Sequence, residues 1–180
     1  MKRFALASLL LLAAAPALAQ SRAAFGPGPV LADVGPIAPV ESDVPIPKGS
    51  VFRIAFDVNE KATPGELSRR IETAARTLNM HVAAGVPQKH VHIVVIFHGP
   101  GAQDLLGDAA YGKRNDGKAN GSADALKKLM GVGVEFILCG QSAASLGIKK
   151  ADLIPGVKMA LSAITAHALY QQRGYTLNPF

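Results

Sequence analysis

Seven consecutive residues, Val91-His92-Ile93-Val94-Val95-Ile96-Phe97, constrain this chain more than any other stretch. Six of them are apolar and five are β-branched, a composition that favours extended backbone. A strand with one face in water alternates apolar and polar residues, whereas this run does not, so both of its faces must be covered. Such strands belong to parallel sheets flanked by helices, and the run is predicted to be central.

The surrounding pattern agrees. Residues 51–58 alternate, with Phe52, Ile54, Phe56 and Val58 on one face and Arg53 and Asp57 on the other, which predicts a first strand. Thr63-Pro64-Gly65-Glu66 reads as a helix start, with Thr63 as N-cap, Pro64 in the first helical position and Glu66 closing a capping box. Leu67, Ile71, Ala74, Leu78 and Val82 then form one apolar stripe, which Gly85 ends. Residues 107–121 are polar and rich in Gly, Asn and Lys, a candidate lid, and a short helix is expected over 122–130. Further strands are expected at 134–138, 157–161 and 175–177, and helices at 141–146 and 162–173. Strands and helices thus alternate about five times, and crossovers of this length are right-handed and parallel. The expected fold is α/β, a three-layer α/β/α sandwich around a mostly parallel five-stranded sheet.

The N-terminal end reads as an export signal. Lys2 and Arg3 precede an apolar stretch over 4–15 and the small-x-small sequence Ala17-Leu18-Ala19, which predicts a signal peptide over 1–19 and a periplasmic location. No later segment approaches the roughly 20 apolar residues of a membrane span. Without the leader, 161 residues remain, carrying 17 basic and 13 acidic side chains, a net +4. That length makes one domain, placed at 51–180. The basic residues are scattered and not interleaved with aromatics, so nucleic acid is not expected as a partner. Residues 20–50 hold six prolines and four glycines among small apolar residues. They are read as an extended arm that packs across the domain or onto a neighbouring subunit, because Val30, Leu31, Val34 and Ile37 are too apolar for a free linker.

Chemistry in such a sheet collects beyond the carboxyl ends of the strands. Two strand ends stand out, Phe97-His98-Gly99 and Leu138-Cys139-Gly140-Gln141-Ser142. Cys139 is the chain's single cysteine, so it forms no internal disulfide. Set before a helix, its thiol would meet unpaired N–H groups that favour the thiolate. Gly140 permits close backbone approach, Gln141 and Ser142 offer donors, and His98 offers an acid, base or counter-ion if its strand lies beside that of Cys139. The competing reading of Cys139 is a small buried hydrophobe. His81 and His167 read as boundary residues of helices, while His90 and His92 lie at the opposite end of the central strand. Ser142 with Asp152 and His167 follows the chain order of a serine hydrolase, without the second elbow glycine. No spacing of metal ligands or phosphate-loop glycines is present, so neither a metal nor a cofactor is expected.

The run Val134-Glu135-Phe136-Ile137-Leu138-Cys139-Gly140-Gln141-Ser142, with Gly147-Ile148 and Asp152-Leu153-Ile154-Pro155-Gly156-Val157 after it, resembles the DsrE/DsrF-like family. Leu78-Asn79-Met80-His81, the end of the central strand and Ala160-Leu161-Ser162-Ala163 extend the resemblance from about Phe52 to Phe180. It implies a five-stranded parallel sheet and assembly into homo-oligomers, trimers or hexamers. It also implies sulfur relay, in which Cys139 accepts a sulfane sulfur as a persulfide and passes it on. The expected partners are then a small sulfur donor and an acceptor. The alternative is a non-catalytic binding module using a cleft around His98 and Cys139.

Overall fold

The structure is a computed structural model that describes residues 25–178, so the expected signal peptide and the last two residues lie outside it. Five strands, β1 (Phe52–Val58), β2 (Val91–Phe97), β3 (Glu135–Cys139), β4 (Lys158–Ala160) and β5 (Thr176–Asn178), form one sheet. Their order is β4-β3-β2-β1-β5 and every pairing is parallel, rather than mostly so. β2 lies at the centre, as its apolar run requires.

The helices are α1 (Arg69–Ala83), α2 (Asp108–Gly112), α3 (Ala123–Gly131), α4 (Gly140–Leu146) and α5 (Ala163–Gln172), with 3-10 turns at Gln88–His90, Gly99–Leu105 and Lys150–Asp152. The pleat sorts β2 between two cores. Val91, Ile93, Val95 and Phe97 face α1 and α3, packing on Ile71, Leu78, Leu126 and Leu129. Val94 and Ile96 face the other way, where α5 covers them with Ala163, Ala166 and Tyr170. The sandwich is therefore lopsided, with one thick helical layer and one formed by α5 alone.

Two local expectations change. The Thr63-Pro64-Gly65-Glu66 segment is a turn, with Glu66 N–H donating to the Thr63 carbonyl at 2.9 Å, and α1 begins only after Ser68. Gly65 adopts φ +88°, outside the helical region, and its carbonyl packs so tightly on Gly121 that a Cβ there would lie 2.3 Å away. Residues 107–121 are not a lid. Tyr111, Asn115 and Asn120 are buried, and Asn120 Nδ2 donates to the carbonyls of Asp104 (2.8 Å) and Leu106 (2.7 Å). A polar composition served buried hydrogen bonding here, not mobility.

The arm packs on the domain. Asn79, fully buried in α1, accepts from the N–H groups of Val30 (3.1 Å) and Leu31 (3.0 Å). Its Nδ2 is shared among the carbonyls of Leu31, Val34 and Gly35 at 2.9–3.0 Å. Arg76 Nε donates to the Pro36 carbonyl, and Lys128 pairs with Asp33. A proline-rich segment makes few hydrogen bonds of its own, so side chains from α1 supply the partners that its backbone needs.

Among the described residues no helix is long and apolar enough to cross a membrane.

Candidate functional site

β3 delivers Cys139 directly to the start of α4, where the residue serves as N-cap with φ −64° and ψ 117°. Its side chain takes the place of the usual capping oxygen, and Sγ accepts from Ser142 N–H at 3.4 Å. Gly140 is required at the next position, because a Cβ would lie 2.6 Å from the Ala160 carbonyl oxygen. That close approach brings the β4–α5 connection against the sulfur, so Sγ sits between the first turns of α4 and α5.

The electrostatics follow. Burial on its own would push the thiol pKa up, but the Ser142 hydroxyl and the N–H groups of Ser142, Ala163 and Gln141 outweigh it. The result lies below the ordinary thiol value, as expected where several donors meet a developing thiolate. Ser142 does two jobs, since its Oγ also accepts from Gly99 N–H at 2.9 Å and thereby ties α4 to the end of β2. Gln141 is exposed, and its Nε2 donates to the Leu161 carbonyl at 3.3 Å, joining the two segments that wrap the sulfur.

Cys139 itself is only 5% exposed and packs with Val94, Ile96, Ile137, Ala163 and Ala166. The thiol expected at the mouth of a cleft is therefore a buried one in the single chain. Surface hollows of about 860, 630 and 180 Å³ lie between the arm and α1, beside α2, and along the turn before α1, and Cys139 and His98 line none of them.

β2 and β3 are neighbours, as the His98 role required, yet the His98 ring is turned toward β1. Its Nε2 lies 3.1 Å from Asp57 Oδ2, and the other oxygen of Asp57 is 2.6 Å from His167 Nε2. Partial burial raises the Asp57 pKa, but the bonds from His98 and His167 win and hold it below the usual carboxylate range. Sequence reasoning missed Asp57 and His167. A signal existed for Asp57, a polar residue near the carboxyl end of β1 on the face opposite Phe56 and Val58. His167 had none, since its partner is 110 residues away.

The hydrolase order does not assemble. Asp152 accepts from Lys149 N–H at 2.8 Å, His167 is committed to Asp57, and Ser142 Oγ to Gly99. Among the described residues no three His, Cys, Asp or Glu side chains are arranged to hold a metal ion. The two imidazoles approach Asp57 through separate oxygens and share no common point.

A family model described as the DsrE/DsrF-like family matches residues 53–179, which leaves the arm outside it. Among solved structures, the protein of unknown function MTH1491 from Methanobacterium thermoautotrophicum is 21% identical. The match covers 72% of this chain and 99% of that one, with a TM-score of 0.50. The ychN protein from E. coli is 16% identical over 72% of this chain and 100% of that one, also at 0.50. At such identities the likeness is one of fold. No curated protein matches the chain.

Proposed function

The chain belongs to the DsrE/DsrF-like family, which is associated with sulfur relay, and from there we propose that it is a periplasmic sulfur carrier working through a Cys139 persulfide. The Cys139 thiolate attacks the outer sulfur of a sulfane donor such as thiosulfate or polysulfide. The donor's S–S bond breaks and releases sulfite or a shorter polysulfide, leaving Cys139–S–S⁻. An acceptor thiolate then attacks the outer sulfur and regenerates the Cys139 thiolate.

The observation that carries this reading is the convergence of N–H groups from the starts of α4 and α5 on one sulfur. A negative sulfur is the species that such donors favour, whether thiolate or persulfide. The packing around Cys139, only 5% exposed, sets a condition: a donor meets Sγ only when that packing opens. The signal peptide over 1–19 supports the periplasmic assignment. A homo-oligomer, trimer or hexamer, is supported by Leu161 and Ile164, 72% and 83% exposed at the start of α5.

Intact mass spectrometry tests the proposal. Protein purified without reductant and exposed to thiosulfate or polysulfide should gain one sulfur mass that dithiothreitol removes, and Cys139→Ser should gain none. An unchanged mass after both donors, with the thiol still free, would end the carrier reading.

A further inference from the structure

Resting on the reading of Cys139 as the working thiol, the structure assigns the first half of α5 as a movable cover over that thiol, latched by the His167–Asp57 hydrogen bond. α5 follows β4 at one edge of the sheet and leads to β5 at the other, so it straps across the strands between them. Ala163, Ala166, His167 and Tyr170 recur at helical spacing on its inward side. Ala163 and Ala166 pack in one cluster with Cys139, and the Ala163 N–H bonds to the sulfur. One turn after Ala163, His167 reaches β1, its Nε2 2.6 Å from Asp57 Oδ1.

The two halves of α5 are held unequally. In the second half Tyr170 meets Tyr175 edge-on, ring centroids 5.0 Å apart, hydrogen-bonds Glu135 and carries the Arg173 guanidinium 5.2 Å above its ring. The first half lies on the sheet through two alanines. Hydrophobic stabilisation scales with apolar area, and alanine has little, so the His167–Asp57 bond is the main tie there. A carboxylate acceptor makes that bond stronger than one between neutral groups.

The latch is also built to release. Asp57 accepts from Nε2, which leaves Nδ1 of the neutral ring as an acceptor. Nδ1 is buried and has no hydrogen-bond partner among the described residues. Lifting the first half, with Tyr170 as pivot, brings water to that nitrogen and offsets part of the lost bond. Asp57 keeps a partner meanwhile, since its other oxygen stays 3.1 Å from His98 Nε2. The sulfur loses only the α5 donor, because the Ser142 and Gln141 N–H groups belong to α4. Opening is thus a local event that exposes the thiol while its α4 donors remain in place.

The test is the rate of Cys139 alkylation by iodoacetamide in the full chain, read by intact mass at about pH 9.5, where an ordinary thiol is mostly ionised and the rate reports access. His167→Leu keeps apolar bulk and deletes the donor, so it should react roughly tenfold faster than wild type. His167→Gln, whose amide can donate to Asp57, should stay near the wild-type rate. Hydrogen exchange should quicken over residues 163–169 in His167→Leu and stay as in wild type over β2. Asn79→Ala loosens the arm on the other face of the sheet and should leave alkylation unchanged. A wild-type rate in His167→Leu, or equal acceleration in His167→Gln or Asn79→Ala, overturns the latch. Asp57 is partly exposed, so Asp57→Ala takes over the test should His167→Leu not fold. Alkylation consumes no sulfur donor, so a failed latch leaves sulfur loading standing, and failed loading leaves these rates readable.

Discussion

Asn79 grips the backbone of Leu31 from both sides, accepting from its N–H at 3.0 Å and donating to its carbonyl at 2.9 Å. One side chain of α1 thereby fixes a segment that has little regular structure. Asn79→Ala leaves several buried arm groups without partners and should cost about 2–4 kcal/mol. Urea unfolding measures the loss. Limited proteolysis of the variant should cut first between residues 25 and 50, and cleavage starting elsewhere would contradict a clamp.

Gln141, in the first turn of α4, bridges to the Leu161 carbonyl that follows β4. Gln141→Ala removes that tie without touching the donors' N–H groups, so alkylation of Cys139 should quicken several-fold while the shape of its pH profile is kept. Unchanged kinetics would mean that access runs by another route.

The Ser142 hydroxyl helps hold the Cys139 thiol below its ordinary value. Ser142→Ala keeps the N–H donor and deletes the hydroxyl, so thiol ionisation should move to higher pH. Absorbance of the thiolate followed against pH reports the shift, and a downward move would reverse the argument.

Asp104 is 1% exposed, and burial pushes its carboxyl up to about 6, against the pull of the Ala62 N–H, the Ser68 hydroxyl and the charge of Lys61. The folded value is above the unfolded one, so the folded state holds the proton more tightly. Its stabilisation is full below about pH 4 and disappears as pH rises through about 6. Relative to Asp104→Asn, which carries no charge at any pH, the wild type should lose about 3 kcal/mol across that window. Urea midpoints at both ends measure it, and a constant difference would show that Asp104 does not titrate this way.

Ile164 projects from α5 into solvent in the single chain. Ile164→Glu should reduce the mass measured by light scattering from that of an oligomer to that of one chain, with α5 still folded by circular dichroism. A wild type that already runs as a monomer would remove this face from the assembly.

Much of the fold was legible because it is written in short-range pattern. The run at β2, the alternation in β1 and the stripe of α1 each report burial on one or both faces, and burial is what a sheet between helices imposes. The boundary of α1 was misplaced because Thr63-Pro64-Gly65-Glu66 satisfies helix-start and turn rules alike. Contact with Gly121, 56 positions on, decides between them.

Cys139 could be placed from sequence, since a lone cysteine between a strand and a glycine-started helix has a defined position in a parallel sheet. Its surroundings could not. The approach of Ala160 to Gly140, the N–H of Ala163 on Sγ and the pairing of Asp57 with His98 and His167 all join residues far apart in the chain. Sequence alone determined which residues alternate, which are buried and where the thiol falls. Strand order and the docking of α5 decided which donors reach that thiol and how little of it meets water, because such contacts exist only once distant segments are packed together.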